Sequence, residues 1–301
     1  MGWKIFFSFL FILFALLLLV LYWFIPIGDV AFKVKSTNSN FSLNGSENLQ
    51  FYSNMRFPDA NISYRLLSCP LQKENDMENA FEIVSNKTLL NFYSVNSNEE
   101  IFVTCDSTTK FDDGLFIAGE GGPTNITKTN NFNVILNGKI LLLKESNCER
   151  PNVAIHELFH VLGFKHSNNP ENIMYNFSRC EQTIGDDNIV ILNKLYSVPS
   201  YSDLGFENVS ASMHGRYLDI NISIRNNGLK KSEEAKIIIY ADGKNIKEID
   251  LRAVDIGYGI TISLTNVFIN KLNVNEIELI INSDFNELDI ENNKIILEIR
   301  Q

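Results

Sequence analysis

Histidine and cysteine are scarce in this chain, at four each in 301 residues, so where they fall is informative. Basic residues are in deficit, with 26 Lys and Arg against 36 Asp and Glu and a net charge of −10. That excludes a sequence-independent nucleic-acid binder, which needs a basic face, and no nucleic-acid partner is expected. Charge is missing altogether from Ile5 to Ile27. As a helix this run would be about 34 Å long, enough to cross a hydrocarbon core of about 30 Å. Trp3 at one end and Tyr22 and Trp23 at the other suit the membrane interface. A cleaved signal peptide is the competing reading. It is disfavoured because the run is longer than the usual apolar region and no Ala-x-Ala follows it.

The rest of the chain has a real core's worth of apolar residues, 45% overall, and length for about two domains. The even number of cysteines suits disulfides in an oxidising compartment and so an anchor with its N-terminus in the cytoplasm. Asn-x-Ser/Thr sequons begin at Asn40, Asn44, Asn61, Asn86, Asn125, Asn176, Asn208 and Asn221. Glycosylation and chance in an Asn-rich chain account for them equally well.

The expected order is a transmembrane anchor over 1–28, a polar stalk over 29–57, a mixed α+β domain over 58–198 and an all-β domain over 199–301. Within the third, Ile62–Leu67 and Ile101–Cys105 read as strands, as does Leu115–Ala118. Glu74–Thr88 carries Met77, Ala80, Phe81 and Val84 at helical spacing. Gly119–Pro123 reads as a breaker. Asn137-Gly138 predicts a hairpin turn between Phe132–Leu136 and Lys139–Lys144. Helices follow near Asn152–Leu162 and Asp186–Tyr196, then a linker, Ser197–Ser202. Beyond Phe206, alternating residues such as Leu218, Ile220, Ile222 and Ile224 predict short strands of an antiparallel sandwich.

The chemistry concentrates at 156–166. His156 and His160 lie four apart, on one helical face, and Glu157 stands between them in azimuth. Gly163 can take the left-handed conformation that ends a helix, letting His166 return as a third ligand. Three imidazoles around one Zn²⁺ leave a fourth position for water, as catalytic zinc sites require. A buried core histidine is the plain alternative for any one of them, but not for this spacing.

This His-Glu-x-x-His-x-x-Gly-x-x-His pattern resembles that of the metzincins. Met174, in Glu171-Asn172-Ile173-Met174-Tyr175, sits where their Met-turn falls. Ser167, Pro170 and the His-to-Met spacing resemble the matrixin branch. The resemblance spans about 58–197 and implies a twisted mixed sheet with three helices. It also implies a zinc-dependent endopeptidase with Glu157 as general base, Met174 as a floor under the ligands, and protein or peptide substrates held along a sheet edge within 115–136. Two features depart from it: no further histidines stand ready for a structural zinc, and no Cys-containing pro-segment is recognisable. Cys69 with Cys105, and Cys148 with Cys180, is the favoured pairing among three connectivities. Calcium sites are not readable. The segment after 206 resembles the CARDB modules through Ile224–Gly228, Tyr240–Gly243 and Asp289–Asn293. It implies an Ig-like spacer or a module for a cell-surface partner. The alternative reading is a surface adhesion protein using a metzincin scaffold without catalysis, which leaves the retention of Glu157 unexplained.

Overall fold

A computed structural model describes residues 2–24, 29–37, 49–108, 110–112, 115–144 and 148–299. The end of the apolar run at 25–27, residues 38–48 of the expected stalk, and the sequons at Asn40 and Asn44 lie outside these residues. The first element, α1 (Gly2–Phe24), is one helix, exposed from Trp3 to Leu21 and long and apolar enough to cross a bilayer.

Next comes β1 (Val30–Thr37). In the mixed domain follow β2 (Met55–Arg56), β3 (Asn61–Leu67), α2 (Leu71–Ser85), β4 (Asn91–Ser94), β5 (Ile101–Cys105), β6 (Lys110–Asp112), β7 (Leu115–Ile117), β8 (Gly119–Lys128), β9 (Asn133–Leu142), α3 (Asn152–Val161) and α4 (Asp186–Tyr196). The strands β2-β9-β5-β3-β4 lie side by side and parallel, and β8 runs antiparallel along β9. Alternation and helical spacing turn Ile62, Ile101, Val103, Ile140, Met77, Ala80, Phe81, Val84, Leu158 and Phe159 into one buried core. Tyr64 stacks on Phe81 with ring centroids 4.2 Å apart, which joins β3 to α2. The α2 helix starts at Leu71, earlier than the spacing predicted, because Pro70 sets an extended N-cap. This start places Lys73 on the buried face. Its ammonium donates to the carbonyls of Asp106 (2.7 Å), Leu142 (3.3 Å) and Leu143 (3.0 Å).

Two local expectations fail. Asn137-Gly138 is no turn: both residues continue β9, and Gly119–Pro123, expected as a breaker, is the start of β8. The glycines serve close approach instead. A Cβ on Gly138 would lie 2.4 Å from Val161 Cγ1, and one on Gly121 would lie 2.3 Å from the carbonyl oxygen of Glu157. Helix α3 rests directly on these strands, so side chains are excluded where the strongest turn signal stood.

The all-β domain holds β10 (Leu204–His214), β11 (Tyr217–Asn226), β12 (Ala235–Ala241), β13 (Lys244–Leu251), β14 (Gly259–Phe268), β15 (Glu276–Asn282), a 3₁₀ turn (Glu291–Asn293) and β16 (Lys294–Ile299). The expected stalk is corrected here. Val30 and Ala31 pair antiparallel with Met213 and Ser212 of β10. From Phe32 to Thr37, with a bulge between Val34 and Ser36, the same strand pairs with β16. Thus β1 passes from one sheet, β10-β11-β14, to the other, β13-β12-β15-β16, as strands at sandwich corners do. Phe32 is buried among Met213, Leu218, Ile295 and Leu297, and that burial is why the segment is a strand. The mixed domain is therefore inserted between the first and second strands of the sandwich.

The end of the expected stalk also belongs to the mixed domain. Met55 and Phe57 are fully buried there, and Phe51 N–H donates to the carbonyl of Gly163 at 2.8 Å. The linker is packed too. Ser200 Oγ donates to the carbonyl of Pro58 at 2.5 Å, and Leu229 N–H to that of Tyr201 at 2.7 Å. Between the two domains Phe132, Val134 and Leu229 form a small apolar cluster with Val198, Ile256 and Leu288. Arg225 Nη2 donates across this junction to the carbonyl of Lys128 at 3.0 Å.

Candidate metal and catalytic site

Helix α3 carries His156, Glu157 and His160, and its end brings back His166. The N–H of Gly163 donates to His160 O and that of Phe164 to Phe159 O, both at 3.0 Å, a Schellman arrangement. Gly163 has φ +92°, and a Cβ there would also meet Met55 Cβ at 2.7 Å. Glycine is required twice over.

The three Nε2 atoms converge, with His156 to His160 at 3.0 Å, His160 to His166 at 3.1 Å and His156 to His166 at 3.3 Å. Their tautomers follow from the other ring nitrogens. His156 Nδ1 donates to the carbonyl of Ile173 at 2.7 Å and His160 Nδ1 to that of Phe164 at 2.8 Å. The Nε2 lone pairs of these two rings therefore point at one another. Neutral imidazoles gain nothing from that arrangement; a cation between them does. Nitrogens about 2.0–2.1 Å from a tetrahedral zinc lie about 3.3 Å apart. Burial lowers all three histidines' pKa values. For His160, burial and then the facing His156 hold the value at about 4, and the same direction in the other two favours neutral rings whose lone pairs can accept a metal. The donor set fits zinc.

Glu157 is buried against β8. A Cβ on Gly119 would fall 2.7 Å from its Cγ and 2.9 Å from its Oε1. Burial, then the charge of Glu120, pushes its carboxyl up to about 8, opposed by a hydrogen bond from the Gly121 backbone. A divalent cation beside it would oppose the same shift.

Met174 is fully buried in the turn that follows His166. Its N–H donates to Asn172 Oδ1 at 2.9 Å, and its carbonyl accepts from Ser167 N–H at 2.7 Å. Asn172 Nδ2 in turn reaches Asn188 Oδ1 on α4 at 3.1 Å. Disulfides join Cys69 to Cys105 and Cys148 to Cys180. The second brings 180 to the start of α3, where Asn152 Nδ2 donates to the carbonyl of Arg179 at 2.6 Å. Sequence reasoning missed Asn172, the carbonyls of Ile173 and Phe164, and the two glycines under Glu157. Main-chain acceptors carry no side-chain signal. The clustered glycines at 119, 121 and 122 did, but they read equally as a loop.

A mixed sheet with three helices and three converging imidazoles is the design of a zinc-peptidase-type domain. Residues 56–197 match the family model for matrixins, and residues 203–296 match the model for CARDB. No curated protein matches the chain.

Proposed function

We propose that the chain is a membrane-anchored endopeptidase in which His156, His160 and His166 hold one Zn²⁺ and Glu157 is the general base. The convergence of the three Nε2 atoms within 3.0–3.3 Å, beside a buried carboxylate from the same helix, carries this reading. Zinc, when bound, supplies the Lewis acidity that acidifies a water and polarises a carbonyl. Glu157 takes the water's proton and passes it to the leaving amine. The hydrogen bonds to Ile173 and Phe164 hold the ligand rings in the right tautomer. Substrate adds as a strand along β8, whose outer edge pairs with no other strand among the described residues. The catalytic unit is taken as 58–198, extended by 49–57. α1 anchors it with the N-terminus in the cytoplasm and the site outside, facing extracytoplasmic proteins.

The test is cleavage of an unfolded protein by the full chain in detergent. Hydrolysis that a chelator stops, zinc restores and Glu157→Gln abolishes is the expected result. An intact substrate beside a zinc-loaded wild type would replace the enzyme with a non-catalytic binding scaffold.

A further inference from the structure

The insertion of the matrixin domain into the sandwich fixes which end of the sandwich faces the anchor. Phe24 ends α1 and Asp29 precedes β1. Five residue steps span at most about 18 Å, so Asp29 stays close to where the helix leaves the bilayer. Asp29 Oδ1 lies 2.6 Å from His214 Nδ1, and Val30 pairs with Met213. At that same level His214 pairs with Tyr217, and Tyr217 with Phe268. The anchor thus emerges beside the β10–β11 hairpin tip. The protease sits toward the other end of β11, where Arg225 meets Lys128, eight residues along the strand and about 27 Å away.

The outward face of β11 and β14 changes character along that distance. From the protease end its cross-strand rungs are Arg225 with Gly259, Ser223 with Thr261, and Asn221 with Ser263. Asp219 follows, accepting from the N–H of Asn266 at 2.7 Å. The last rung is Tyr217 with Phe268, rings 5.9 Å apart and 43% and 44% exposed. A polar face thus ends in one aromatic pair, at the level where the anchor enters. Aromatic rings favour the interface between headgroups and acyl chains, and a tyrosine can bury its ring there with its hydroxyl in water.

We propose that this end of the CARDB domain docks on the bilayer through Tyr217 and Phe268, so that the sandwich is a post holding the protease domain about 27 Å above the lipid. The proposal rests on the reading of α1 as an uncleaved anchor and names the lipid interface as the partner of this surface.

The experiment places the full chain in lipid nanodiscs containing a phospholipid with a photoreactive diazirine high in its acyl chain, and maps the adducts by peptide mass. Adducts are expected within 2–24 and again within 214–217 and 266–269. The double change Tyr217→Ser and Phe268→Ser, with its thermal unfolding checked against wild type, should cut the second group at least fivefold and spare the first. Adducts on α1 alone would overturn the docking and leave the anchor standing. Adducts at 226–229 or 255–259 would overturn the orientation. An unlabelled α1 would overturn the anchor and the docking together.

Discussion

His156 donates its Nδ1 proton to the carbonyl of Ile173, 2.7 Å away and 17 residues along the chain. The three-histidine cluster and the turn that carries Met174 are therefore one hydrogen-bonded unit. That carbonyl is positioned by Asn172, whose Oδ1 accepts from Met174 N–H and whose Nδ2 reaches α4. Asn172→Ala should weaken zinc binding by about ten- to a hundredfold while all three ligands remain. Competition with a fluorescent chelator measures it. Affinity within twofold of wild type would dismiss the role given to Asn172.

Gly121 lies under the backbone of Glu157, and an added Cβ would meet backbone rather than a movable side-chain tip. Gly121→Ala should lift α3 from β8, costing about 1–3 kcal/mol and at least tenfold in peptide hydrolysis. Gly122 is the control, since a Cβ there has nothing within 4 Å. Gly122→Ala should match wild type in both melting and rate.

Lys73 carries a buried ammonium shared by three carbonyls. Lys73→Met keeps the stem but removes their common donor, at a cost of about 2–4 kcal/mol in denaturant unfolding. Zinc affinity should not move, because these carbonyls lie at the ends of β5 and β9 rather than at the histidines.

Asp203 predicts a pH dependence at the domain junction. Burial, and then the charges of Glu287 and Asp289, raise its carboxyl to about 6 despite the hydrogen bond from Asn292. Unfolded, it returns to its ordinary value near 4. Between pH 4 and 6 the folded chain therefore keeps a proton that the unfolded chain has released. Stability from this group is complete below pH 4 and is lost as pH rises through 6. Asp203→Asn keeps a neutral group there and should be more stable than wild type by about 2–3 kcal/mol at pH 7, with the gap closing near pH 4. Unfolding free energies at several pH values measure it; a constant gap would contradict the assignment.

The meeting of the histidines was legible because a helix's geometry ties residue spacing to shared faces, and His156, Glu157 and His160 obey it. The sandwich strands were legible for the same reason, at period two. Asn137-Gly138 misled because a glycine needed for contact with Val161 looks the same as a glycine needed for a turn. Val30–Thr37 misled because its partners, Met213 and Ile295–Ile299, lie far along the chain, and no local pattern can announce them. Lys73 stood at helical spacing from Met77, yet a lysine gives no hint that distant carbonyls will hold it.

The pairing of β1 with β16 also sets a timetable for synthesis. Phe32 is made long before its cross-strand partner Ile299, so the first strand must wait, unpaired, while the inserted domain is completed. Closing so long a loop is slow, and an unpaired strand edge invites wrong partners meanwhile. Termination before Lys294 would remove β16 and leave the first strand with only its short pairing to β10.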